Sequence, residues 1–108
     1  MDIEHWRKEI DEIDSELLRL LNVRARLAIK VGTLKRSTGL PLRDLDREQF
    51  VLDRLQEANS GPLDHGAVDR LFRRIMRESR RVEALAAQHP NGSSLASASN
   101  PTKLRGIA

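Results

Sequence analysis

The 108-residue chain has no cysteine and no tyrosine, and it carries one tryptophan and two phenylalanines. Disulfides and thiolate metal sites are thereby excluded, and a core with so few aromatics has to be built from aliphatic side chains. No stretch approaches the roughly 20 apolar residues that a membrane span requires. The N-terminal MDIEHWRKEIDEIDSE is charged throughout and holds no apolar run of signal-peptide length. These absences lead us to expect a cytoplasmic protein. The three histidines stand at 5, 65 and 89, a spacing that suits no metal, and neither a glycine-rich phosphate loop nor a Ser/His/Asp set can be assembled. No cofactor and no metal are expected. The net charge of +3 arises from 19 basic residues mixed with 16 carboxylates, a poor signature for nucleic acid.

What is present is helical periodicity. From Ile3 the apolar residues recur at 3, 6, 10, 13, 17, 20, 27, 31 and 34, in steps of three and four wherever the pattern is unbroken. This is a heptad-like seam on a helix of about nine turns. Gly39 and Pro41 in STGLPLRD stop it. A second helix begins within RDLDREQFVLDRLQEA; Asp44 or Asp46 can cap it, and Asp46 with Gln49 has capping-box spacing. NSGP ends that helix. The third runs from about Leu63 to about Gln88, with Val68, Leu71, Phe72, Ile75, Met76, Val82, Leu85 and Ala86 on one side. The expectation is an all-α domain over residues 1–88 followed by a disordered tail over 89–108, PNGSSLASASNPTKLRGIA after His89, which lacks any periodic apolar set. A lone bundle of this length buries only a modest core, so pairing with a second copy is expected as well.

Polar residues interrupt each apolar arc. On the first helix Arg24 and Lys35 are eleven residues apart and nearly eclipsed, three turns from each other. On the second, Asp44 and Glu48 share the face of Val51, Leu52 and Leu55, with Arg47 at its margin. On the third, Ser79 stands near the centre of the stripe and Glu83 one turn further on. Each has an ordinary explanation taken singly: a snorkelling cation, a helix cap, a dipole-stabilised carboxylate, a back-bonded hydroxyl. Together they describe six inward polar groups that must satisfy one another or a ligand, because burying them unpaired is costly. Cations, carboxylates and a hydroxyl walled by aliphatic side chains make a small-molecule pocket, and two inward cations suit a substrate with two carboxylates. Arg7 sits at the edge of the same arc, about 25 Å along the axis from Arg24. It cannot reach that pocket in its own chain. An antiparallel crossing of two copies near Leu18 would bring Arg7 of one chain beside the Arg24 to Lys35 segment of the other.

The order WRKEID, LLNVRARLAIKVGTLK, GLPLRDLDRE, LFRRIMRESRRVE resembles the all-helical chorismate mutases, the AroQ class (type II), across roughly residues 3–88. The spacings of Arg7, Arg24, Lys35, Asp44, Arg47, Glu48 and Ser79 are kept without gaps inside each block. The resemblance implies a three-helix fold, an intertwined homodimer with a long first helix, and two active sites each completed by an arginine from the partner. It implies conversion of chorismate to prephenate in phenylalanine and tyrosine biosynthesis. By the same resemblance Arg24, Arg47 and Arg7 of the partner subunit hold the substrate's carboxylates or support the residues that do. Asp44 and Glu48 orient the ring hydroxyl, Lys35 and Glu83 contact the ether oxygen, and Ser79 positions the ring-side carboxylate. Many family members carry glutamine at position 83, a donor at any pH; this sequence has glutamate, as some others do.

Two rival expectations remain. Isochorismate pyruvate lyase shares the fold, although the complete run RDLDRE inclines toward the mutase. A non-catalytic helical module is the other: Arg70, Arg73, Arg74, Arg77, Arg80 and Arg81 crowd the face of the third helix opposite its apolar stripe, where they would meet solvent, an acidic partner or an enzyme of the same pathway.

Overall fold

A computed structural model of the chain describes residues 2–88, and the tail expected over 89–108 lies outside them. Three helices make up the fold: α1 (Ile3–Thr38), α2 (Leu45–Ala58) and α3 (His65–Ala87). Each begins on an aspartate whose carboxylate accepts an orphan backbone N–H of the first turn, Asp2 from His5, Asp44 from Arg47 and Asp64 from Ala67. Of the two cap candidates for α2, Asp44 is the one used. Asp46 lies in the first turn, and the capping box expected with Gln49 does not form: Gln49 donates instead to Asp53, at 2.8 Å. Replacing Asp64 with alanine is expected to cost about 1 kcal/mol, read as a lower urea midpoint with unchanged slope.

At its far end α1 stops as Gly39 and Pro41 require. Gly39 takes a left-handed conformation (φ 75°), and the N–H groups of Gly39 and Leu40 turn back onto the carbonyls of Arg36 and Lys35. A short connection then returns the chain so that the start of α2 lies beside the second half of α1. Helix α3 packs on both of the others. Its centre is the cluster of Val51 and Leu52 from α2 with Met76 from α3, flanked by Leu55 and Phe72.

The first half of α1 has no such partner. Every residue from Ile3 to Leu20 is exposed within the single chain, including the seam residues Ile10 at 54%, Ile13 at 63% and Leu17 at 50%. Six apolar side chains in steps of three and four over five turns form a continuous stripe, not the scattered surface hydrophobes of an ordinary monomer. Leu71 and Leu85, expected in the α3 core, are also half exposed. Among the described residues no helix is long and apolar enough to cross a membrane.

Candidate active site

Where the second half of α1 faces the start of α2 and the C-terminal half of α3, the three helices line an open cavity of about 310 Å³. Its walls are Leu27, Ala28 and Val31 from α1, Val51 from α2 and Met76 from α3, and seven of the eight residues singled out in the sequence line it: Arg24, Lys35, Asp44, Arg47, Glu48, Ser79 and Glu83. The near-eclipse of positions 24 and 35 puts both α1 cations on one side, and the capped first turn of α2 brings its three charged residues opposite them.

Arg24 Nη1 donates to Ser79 Oγ at 2.7 Å, and that hydroxyl donates to the Ile75 carbonyl at 3.0 Å. Ser79 is thus bonded within its own helix and still fixes the guanidinium. Burial, and next the like charge of Arg47, pulls the Arg24 pKa down. Arginine keeps its proton under such pressure and holds a poorly solvated positive charge for an anion to relieve. Lys35 Nζ donates to the Leu42 carbonyl at 2.9 Å, tying the α1–α2 connection to the cavity rim. The Arg47 guanidinium lies 5.4 Å from the centre of the Phe50 ring, one turn along α2.

Glu83 is buried, and its Oε1 has no hydrogen-bond partner. Desolvation raises its pKa against the opposing fields of Lys35, Arg36, Arg80 and Arg24. A carboxyl so placed gives up its proton less readily than a solvated one, and in its neutral form it can donate a hydrogen bond. Asp44 serves twice, as the α2 cap and as a wall of the cavity.

Glu48 corrects one expectation. Its two oxygens accept from Arg43, at 3.3 Å, and from Arg80. Arg80 therefore does not belong to the outer arginine face of α3; it turns into the cavity. It stands four residues after Met76 and three before Glu83, both inward-facing, a spacing that puts it on the flank of the stripe without deciding which way its side chain turns. The other five arginines stay exposed, with Arg73 paired to Asp69 and both Arg74 and Arg81 to Glu78. The sequence reading also misses Gly32, which is buried beside Glu83.

Arg7 is not brought to the cavity. It is exposed on the first half of α1 and pairs with Glu4 at 3.0 Å. Counting the lining residues alone, four cations (Arg24, Lys35, Arg47, Arg80) face three carboxylates (Asp44, Glu48, Glu83), so cations outnumber carboxylates in the cavity. Such a cavity suits a compact anion.

Residues 6–84 match the family of chorismate mutase type II. A bifunctional chorismate mutase/prephenate dehydratase of Neisseria gonorrhoeae is 51% identical over 77 residues, covering 71% of this chain and 21% of that protein. The Escherichia coli K12 protein of the same name is 39% identical over 87 residues, covering 79% and 22%. The chain thus spans about a fifth of the length of these curated relatives. A solved structure of chorismate mutase (form II) from Thermus thermophilus superposes with a TM-score of 0.75 at 38% identity, covering 76% of this chain and 93% of that one. With a family match across most of its length and a shared fold at that identity, the chain belongs to the chorismate mutase type II family.

Proposed function

We propose that residues 1–88 form a catalytic domain that rearranges chorismate to prephenate, acting as a homodimer. The observation that carries this reading is the aliphatic-walled cavity in which cations outnumber carboxylates and a buried Glu83 oxygen is left without a partner. Chorismate has two carboxylates, and its rearrangement is unimolecular and pericyclic. The breaking carbon–oxygen bond leaves partial negative charge on the ether oxygen, so the reaction needs no nucleophile and no external proton acceptor. An enzyme contributes by folding the enolpyruvyl arm over the ring and by placing donors where charge develops.

In this reading Arg24 and Arg47, with Arg7 of the partner subunit, clamp the carboxylates, and Ser79 holds Arg24 toward the ring-side one. Asp44 and Glu48 accept the ring hydroxyl. Lys35 and protonated Glu83 donate to the ether oxygen. The exposed α1 seam supports the dimer, since a crossing of two α1 helices would cover the stripe and carry Arg7 to the other chain's cavity. Relatives named as bifunctional place their mutase portion beside a second activity, which supports a role in phenylalanine and tyrosine synthesis.

Purified protein incubated with chorismate should consume it and form prephenate, and its solution mass should be twice 12.2 kDa. Release of pyruvate and salicylate from isochorismate would assign the cavity to the lyase. Salt-sensitive DNA binding by a monomer without turnover would favour the non-catalytic module.

The raised Glu83 pKa sets the sign of a pH effect. The donor form exists below that pKa and is lost as pH climbs through it, so turnover should decline on the alkaline side. Glu83→Gln, a donor throughout, should flatten the decline. An identical decline in both proteins would remove Glu83 from the mechanism.

A further inference from the structure

Gly32 is the one buried residue of α1, a turn before Lys35. A Cβ at this position would stand 2.8 Å from Glu83 Oε1, 3.0 Å from its Cγ and 3.2 Å from its Cβ. All three nearest atoms belong to one side chain, and none is backbone, so the missing Cβ makes room for Glu83 itself. The same carboxyl bears the oxygen that is buried and unpartnered.

The geometry points to Gly32 as a positioning residue: its bare surface is a notch in α1 that seats the Glu83 side chain with its carboxyl at the cavity wall. Glycine is a poor choice for the interior of a long helix, where alanine is more stable. Neither a turn nor a positive φ requires it at position 32. A methyl group there displaces Glu83 from its stem outward, because Cβ and Cγ cannot swing away as freely as the terminal oxygen. The groups around that seat are Arg24, Lys35 and Arg36 from α1 and Arg80 on α3, with Asp44, Arg47 and Glu48 of α2 across the cavity. A carboxyl moved among so many charges no longer meets the reacting oxygen. This role rests on the mutase reading, and it assigns to a residue without a side chain the placement of one of the two donors.

The test is Gly32→Ala alone and in a Glu83→Ala background, assayed for chorismate turnover and thermal midpoint. In the parent, Gly32→Ala should lower kcat about 10- to 100-fold with little change in KM, the effect of misplacing a reacting group by about an ångström. In Glu83→Ala the same substitution should change kcat less than about twofold, because nothing remains to be displaced. Its thermal midpoint there should match or exceed that of Glu83→Ala, as helix propensity dictates. Full kcat in Gly32→Ala, or an equal loss in both backgrounds, overturns the assignment. So does a fall in midpoint that Glu83→Ala does not reverse, which would put the clash elsewhere. A parent without mutase activity counts against the proposed function, while the midpoint coupling between positions 32 and 83 still reads the notch.

Discussion

Lys35→Met is expected to lower kcat about 10²- to 10³-fold, the usual cost of removing one donor to a developing oxyanion. Methionine keeps the aliphatic stem and removes only the ammonium. The charge on the ether oxygen exists mainly in the transition state, so this loss should fall on kcat and leave KM within a few-fold. Arg24→Met should divide differently. A carboxylate clamp is felt by ground and transition state alike, so KM should rise strongly alongside any loss in kcat, and Ser79 loses its donor at 2.7 Å. Steady-state kinetics of the two variants, with circular dichroism to check helix content, separate the roles. Equal effects on kcat and KM in both would mean that Lys35 binds without favouring the transition state. Because Lys35 also holds the Leu42 carbonyl, a thermal midpoint belongs beside the kinetics: a large drop would trace the defect to the α1–α2 connection.

Leu17→Glu is expected to reduce the solution mass to 12.2 kDa and abolish turnover together. Leu17 is half exposed in the single chain on the α1 stripe, next to the expected crossing point near Leu18, where a second α1 would bury it. A carboxylate at that point would have to be desolvated without a partner. In the proposed dimer, losing the partner would remove the partner's Arg7 from each cavity and expose the stripe again. Since obligate dimers often have no stable monomer, a milder pair of variants completes the test. Arg7→Met and Lys35→Met should each be nearly inactive alone. Mixed and allowed to exchange, half of the dimers are hybrids with one intact site of two, so about a quarter of parental activity should return. No recovery would mean that position 7 acts within its own chain or not at all, whereas Leu17→Glu activity in a monomer would end the shared-site reading.

Much of the molecule is legible from local chemistry because α-helices impose a fixed angle per residue. Spacing alone places Arg24 above Lys35, groups Asp44 with Glu48, and sets Ser79 and Glu83 into the α3 stripe. Gly39 and Pro41 mark the α1 stop for backbone reasons that need no neighbour. Angles give direction but not depth. Arg80 lies on the flank of the α3 stripe, where a long side chain can turn either way, and the attraction of Glu48 on another helix decides it. Asp44 and Asp46 are equal candidates for the cap by residue type, and the path of the connection between α1 and α2 selects Asp44.

The sequence by itself determined three amphipathic helices, an aliphatic core and a set of inward charges suited to a dianion, since periodicity and residue chemistry act within a few turns of chain. Only the tertiary structure decided that these charges meet in one cavity, that Arg80 joins them and that Gly32 gives way to Glu83. Those outcomes depend on how closely two helices approach, and that distance is set by packing between residues far apart in the chain.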